Sequence, residues 1–175
     1  MLVTSEDGTV FDYDLLFLDP LLKAFDTQLR FVTKSIEEQY GLDRTEYLNQ
    51  LDYLAGVGFT ACQQYITAIC RATNIAPREA RKLPPAYNSD LTVVEVIHAG
   101  ANYWKHHEEW TPENADKRKE TVTMLTKAGA DIEGAYICSD LIDSICGTGA
   151  NPFSRLKQLL VEWRNNAINA AAMSG

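Results

Sequence analysis

Apolar side chains along this chain recur mostly at intervals of three and four residues, the rhythm of amphipathic helices. Leu21, Leu22, Phe25, Leu29, Val32, Ile36 and Tyr40 make the first such face. Asp19-Pro20 precedes it and Gly41 follows it, which predicts a helix over 20–40 with a capping acid, a proline at its first position and a terminal glycine. The second face, Tyr47, Leu51, Leu54, Phe59, Cys62, Ile66 and Ile69, predicts a helix over 44–73. Gly56 and Gly58 in its middle weaken it, so a kink or a close helix contact is expected there. Pro77, Pro84 and Pro85 mark 74–90 as a loop.

A third helix is expected over 91–109, capped by Ser89 or Asp90, with Thr92-x-x-Glu95 as a capping box one turn later. A fourth starts at Thr111-Pro112 and stops before Gly129. A fifth spans 132–146. A last one opens at Asn151-Pro152, runs to about Ala172 and buries Leu156, Leu159, Leu160, Trp163 and Ile168. Thr9 to Asp14 alternates apolar and polar residues and reads as a short strand or as part of an extended lead-in over 1–18. The fold class that follows is all-α, one domain over 1–175, a bundle of five or six helices.

Composition narrows the function classes. At 175 residues and 46% hydrophobic, the chain fits one domain with a sizeable core. A net charge of −8 disfavours non-specific binding to nucleic acid or anionic membrane. Arg71, Arg78, Arg81 and Lys82 are one local concentration of positive charge. The longest apolar run near the N-terminus, Leu15 to Leu18, is too short to span a bilayer, and acids stand where a secretory signal would carry cations. A cytoplasmic protein with no membrane partner is expected. Cys62, Cys70, Cys138 and Cys146 include no Cys-x-x-Cys pair, so they are expected to be reduced and to pack as small apolar groups.

All three histidines fall in the third helix, and this is where chemistry is expected. Glu95, His98, Asn102, His106 and Glu109 step by three and four and predict one polar stripe on an otherwise apolar helix. Such a stripe must meet water, a partner or a satisfied polar network. Histidine, lysine and asparagine together suit phosphodiester cleavage. The imidazole activates a hydroxyl, the ammonium neutralises developing charge, and the amide orients the phosphoryl group.

An all-helical chain of this length whose core helix ends Asn102-x-x-Lys105-His106 resembles the HEPN domains. The resemblance implies a dimer that cleaves or binds RNA in toxin–antitoxin or phage-defence systems, without a metal or other cofactor. It implies His106 as the catalytic histidine, Asn102 as the polar spacer residue and Lys105 as a phosphate contact. The family's Arg is missing, because Ala101 stands just before Asn102.

The other reading is a non-enzymatic interaction module, homodimeric or bound to a protein partner. Tyr103, Trp104 and Trp110 gather at one helix end beside His106 and His107, and these aromatics with His98 and His107 are its expected binding residues, since aromatic and cationic groups together make binding hot spots. Glu95-x-x-His98 matches one element of a di-iron bundle, but a second is absent. Glu113-x-x-Asp116 likewise offers half of a magnesium-binding acidic pair. No Gly-x-Ser-x-Gly elbow or Walker loop occurs.

Overall fold

A computed structural model describes residues 2–5, 9–38, 44–110, 115–147, 149 and 151–174. Among them are seven α-helices and one small hairpin, so the chain is all-α, as its periodicity predicts. The hairpin pairs β1 (Leu2–Thr4) with β2 (Val10–Asp12), antiparallel, with Leu2 opposite Asp12 and Val3 opposite Phe11. The helices are α1 (Tyr13–Glu38), α2 (Arg44–Thr73), α3 (Pro77–Ala80), α4 (Val93–His106), α5 (Ala115–Lys127), α6 (Ile137–Cys146) and α7 (Pro152–Ser174). Helix α2 is the central rod and packs on α1, α4, α6 and α7.

The N-terminal lead-in differs from the sequence expectation. Residues 1–18 are not an extended segment, because α1 already begins at Tyr13 and Pro20 lies inside it. The cap is Asp12, whose Oδ1 accepts the Leu15 N–H at 2.9 Å, so Asp19 is not the capping acid. The expected strand at 9–14 also finds a partner in Leu2–Thr4.

Three other boundaries shift. The loop over 74–90 contains the single-turn α3, opened by Pro77. Helix α6 starts at Ile137 rather than 132. Helix α4 ends at His106, and a separate 3-10 turn carries His107–Glu109. The predicted end of the first helix at Tyr40 and Gly41, and the predicted start at Thr111-Pro112, lie outside the described residues, as does Glu113.

The core runs the length of the bundle, with Trp163, Phe59, Phe153, Leu22, Leu51 and Ile69 among its largest fully buried side chains. The glycines in α2 serve contact, not a break. A Cβ on Gly56 would sit 2.1 Å from the Trp104 ring, and Gly100 of α4 admits the Phe59 ring in the same way. Two aromatics fasten the 74–92 segment to the bundle: the buried Trp163 indole N–H donates to the Ala80 carbonyl at 2.8 Å, and the Tyr87 hydroxyl donates to the Ala128 carbonyl at 2.8 Å.

Carboxylates from distant helices satisfy the first amides of others. The buried Asp26 of α1 accepts the Phe153 and Ser154 N–H groups, each at 2.9 Å, and the Ser154 hydroxyl at 2.5 Å. Asn151, the expected cap of this helix, accepts instead from Arg30. Asp52 of α2 accepts the Ser139 N–H at 2.9 Å at the start of α6. Thr92 and Glu95 form a complete capping box on α4. Each arrangement supplies an acceptor to amides that have none within their own helix.

Asp26→Ala is expected to leave these buried donors of α7 unpaired and to destabilise the fold by about 2–3 kcal/mol. Urea unfolding checks this, with Asp26→Asn, which keeps one acceptor oxygen, falling between the two. An unchanged midpoint in Asp26→Ala would contradict the role.

Candidate functional site

The capping box decides where the polar side chains of α4 start. Glu95 uses Oε2 to accept the Thr92 N–H at 2.9 Å and Oε1 to hold Lys82 Nζ at 2.6 Å. Its carboxylate is buried and committed to starting its own helix, so it does not serve the polar stripe as a free acid. The next members, His98 and Asn102, are half-buried where α4 crosses α2. There α2 contributes a residue that sequence reasoning missed, Gln63. Gln63 Nε2 lies 2.8 Å from His98 Nδ1 and donates to Asn102 Oδ1 at 3.1 Å. Asn102 Nδ2 lies 3.1 Å from His98 Nε2. Lys105 Nζ donates to Gln63 Oε1 at 2.7 Å. A single glutamine inside a long helix carries no sequence signal, and only the α2–α4 crossing brings it to the other three.

Of the residues expected to act together, Asn102 and Lys105 converge through Gln63, with His98 as the imidazole among them. His106 does not join that hydrogen-bond network. It is exposed at the last position of α4, with Nδ1 3.4 Å from Glu109 Oε2. The stripe is therefore continuous only as far as His106, and Glu109 sits on the 3-10 turn beyond it.

The remaining binding candidates gather at this end of α4. Tyr103 and His107 stack with centroids 4.6 Å apart, and Trp110 meets Tyr103 edge-on at 5.5 Å. Trp104 packs edge-on against Tyr53 at 5.4 Å, over Gly56. His107 Nδ1–H donates to the Tyr103 carbonyl at 3.1 Å, and the Arg118 guanidinium lies 5.9 Å from the Trp110 ring centre. Trp104 and Lys105 border a shallow, mostly apolar groove of about 380 Å³ with Val57, Thr60, Ala61 and Gln64.

Electrostatics sets the charge state of the crossing. Burial, then Arg81 and Lys105 nearby, push the His98 imidazole down from 6.5 to about 4, against the pull of Glu120 and Glu95. His98 is thus neutral at neutral pH and is not a phosphate-binding cation there. Burial also lowers Lys105 and raises Asp52, whose carboxylate is partly relieved by the Ser139 and Cys138 amides. The four cysteines are free thiols, three of them buried, and burial raises them all. Among the described residues no three His, Cys, Asp or Glu side chains cluster as a metal site requires, and no helix is long and apolar enough to cross a membrane.

The lowered His98 value gives a pH dependence of definite sign. The folded state favours the neutral ring, so this stabilisation is complete above 6.5 and is lost as pH falls from 6.5 towards about 4. Asp52 and Asp143, both raised by burial, act in the opposite direction. Urea unfolding of wild type and His98→Gln across this range isolates the histidine: the stability difference between the two proteins is expected to move against wild type on acidification. A pH-independent difference would contradict a half-buried neutral imidazole.

In comparisons with known proteins, the chain matches no protein-family model, no curated protein and no solved structure.

Proposed function

We propose that this chain is a non-enzymatic helical interaction module that pairs with a second copy of itself through the outer face of α1. The observation that carries the reading is an apolar face left in solvent. Phe17 is 80% exposed, Leu16 68% and Phe31 65%, with Tyr13 and Leu21 also exposed on the same helix. Together with Pro20 and Ala24 these residues recur at helical spacings from 13 to 24, and Phe31 lies two turns farther on, past the polar Thr27 and Gln28. Phe11 and Val3 extend the exposed apolar surface onto the hairpin. Scattered exposed leucines are ordinary, but a contiguous aromatic and aliphatic patch marks an interface.

A second copy suits this face because a twofold axis sets the same apolar seam on both sides of the contact, and an apolar seam is its own complement. Charged groups of α1 find partners within the chain: Asp19 pairs with Lys23 and Lys157, and Arg30 donates to Asn151 and Thr27. Two such helices packed antiparallel around a twofold axis bring the two apolar seams together, with the small Ala24 near the middle. RNA cleavage by a HEPN-like domain is the weaker reading here. Lys105 and Asn102 are tied to Gln63 and His98, while His106 stands apart with Glu109.

Light scattering during gel filtration is expected to give the mass of a dimer. Phe17→Glu, at a largely solvated position, is expected to keep the helical circular dichroism and to weaken dimerisation by about tenfold or more. A wild-type monomer at all concentrations would overturn the proposal. Degradation of RNA that disappears in His106→Ala would favour the HEPN-like reading in its place.

A further inference from the structure

Gln63, His98 and Asn102 close a three-membered ring of polar contacts, and the ring has a parity problem. Gln63 uses one side-chain atom, Nε2, towards both His98 Nδ1 and Asn102 Oδ1. Asn102 uses its two different atoms, Oδ1 towards Gln63 and Nδ2 towards His98 Nε2. A neutral imidazole has one donor nitrogen and one acceptor nitrogen, whichever tautomer forms.

Suppose the Gln63 amide donates. Then His98 Nδ1 accepts and Asn102 Oδ1 accepts, so Asn102 Nδ2 meets an Nε2 that must itself carry hydrogen. Suppose instead that the Gln63 amide is inverted and accepts. Then Nδ1 donates, Asn102 inverts to donate to Gln63, and its oxygen meets an Nε2 that carries no hydrogen. Every assignment of a neutral ring leaves one mismatched contact. Turning the imidazole over gives up both nitrogen contacts. Only the imidazolium, with both amides inverted, satisfies all three.

That inversion has a consequence for Lys105. In the observed orientation its ammonium donates to Gln63 Oε1 at 2.7 Å. Inverting the Gln63 amide puts an NH2 group there, and the bond is lost. We propose that His98, Gln63 and Asn102 form a proton-driven latch on Lys105, in which protonation of His98 inverts both amides and releases the lysine into the groove beside Trp104.

The charges around the ring oppose latch opening at neutral pH. Arg81, just past α3, and Lys105 on α4 disfavour the added proton, Glu95 on α4 and Glu120 on α5 favour it, and α2 faces it with the neutral Gln63. Burial adds to the opposition, so the latch is closed until the medium is acid. The proton taken up comes from solvent and resides on the imidazole, and no covalent bond changes.

The test is an NMR titration of the full chain, following the His98 ring, the Gln63 and Asn102 side-chain amides and Lys105 Cε. The expected result is one shared midpoint for all four groups. Titration of His98 with the Gln63 and Lys105 signals unmoved would overturn the latch. Two variants keep the test decisive if acid unfolds the wild type first. Lys105→Met removes the competing bond and is expected to raise the His98 proton affinity by about tenfold. Gln63→Glu places an acceptor-only group at the apex, which suits the imidazolium alone, and is expected to raise that affinity by more than tenfold while keeping Lys105 held across the titration. An unchanged His98 midpoint in either folded variant would also overturn the proposal.

Discussion

A helix that starts inside a protein presents amides with no partner of their own, and this fold meets that constraint with side-chain carboxylates, two of them from distant helices. Asp26 reaches across 127 residues to Phe153, and Asp52 across 87 to Ser139. Asp12 starts α1 with one oxygen and uses the other to accept from Tyr65 and Arg164, at 2.6 and 2.9 Å. Glu95 starts α4 and holds Lys82. The acids of a chain with net charge −8 are thus partly structural: they sit at the positive ends of helices, where the backbone compensates them. Asp26 and Asp52 fix where α7 and α6 begin relative to α1 and α2, and Glu95 fixes where α4 begins. The position of His98, Asn102 and Lys105 against Gln63 follows from that.

Neighbouring carboxylates and amides also explain why the polar stripe of α4 is divided. Its first acid is spent on capping, its middle pair closes a ring with α2, and its last imidazole is left at the surface. The consequence for function is that His98, Asn102 and Lys105 are held with Gln63, apart from His106. Leu16, Phe17 and Phe31 on the outer face of α1, by contrast, are left exposed by the described residues. Surface left in this condition is where a partner contributes most, because burying aromatic and aliphatic groups from water is the dominant favourable term in association.

Much of the bundle was legible in the sequence because helical periodicity is a local property. The faces of α2 and α7, the capping box of Thr92 and Glu95, and the Asn151-Pro152 start of α7 all follow from residues within one or two turns. The errors have physical causes. Asp19-Pro20 imitates a helix start, but Asp12 caps earlier, and the seven residues before Pro20 join the helix because the hairpin delivers Asp12 to the right place. The remote caps carry no local signature, since Asp26 and Asp52 lie in helix interiors where acids usually face water. Gln63 is silent for the same reason. The aromatic gathering of Tyr103, Trp104, His107 and Trp110 was legible, because spacing alone puts those rings at one helix end. The exposed face of α1 was not, because periodicity finds the apolar residues of a helix without saying which of them the rest of the chain covers.

Native-state hydrogen exchange measures the carboxylate caps most directly. If buried side-chain acceptors hold the helix starts, the amides of Phe153, Ser154 and Ser139 exchange only through global unfolding, as slowly as those of the core positions Leu160 and Phe59. Exchange of these three at the rate of frayed helix ends, with the core still protected, would contradict the account.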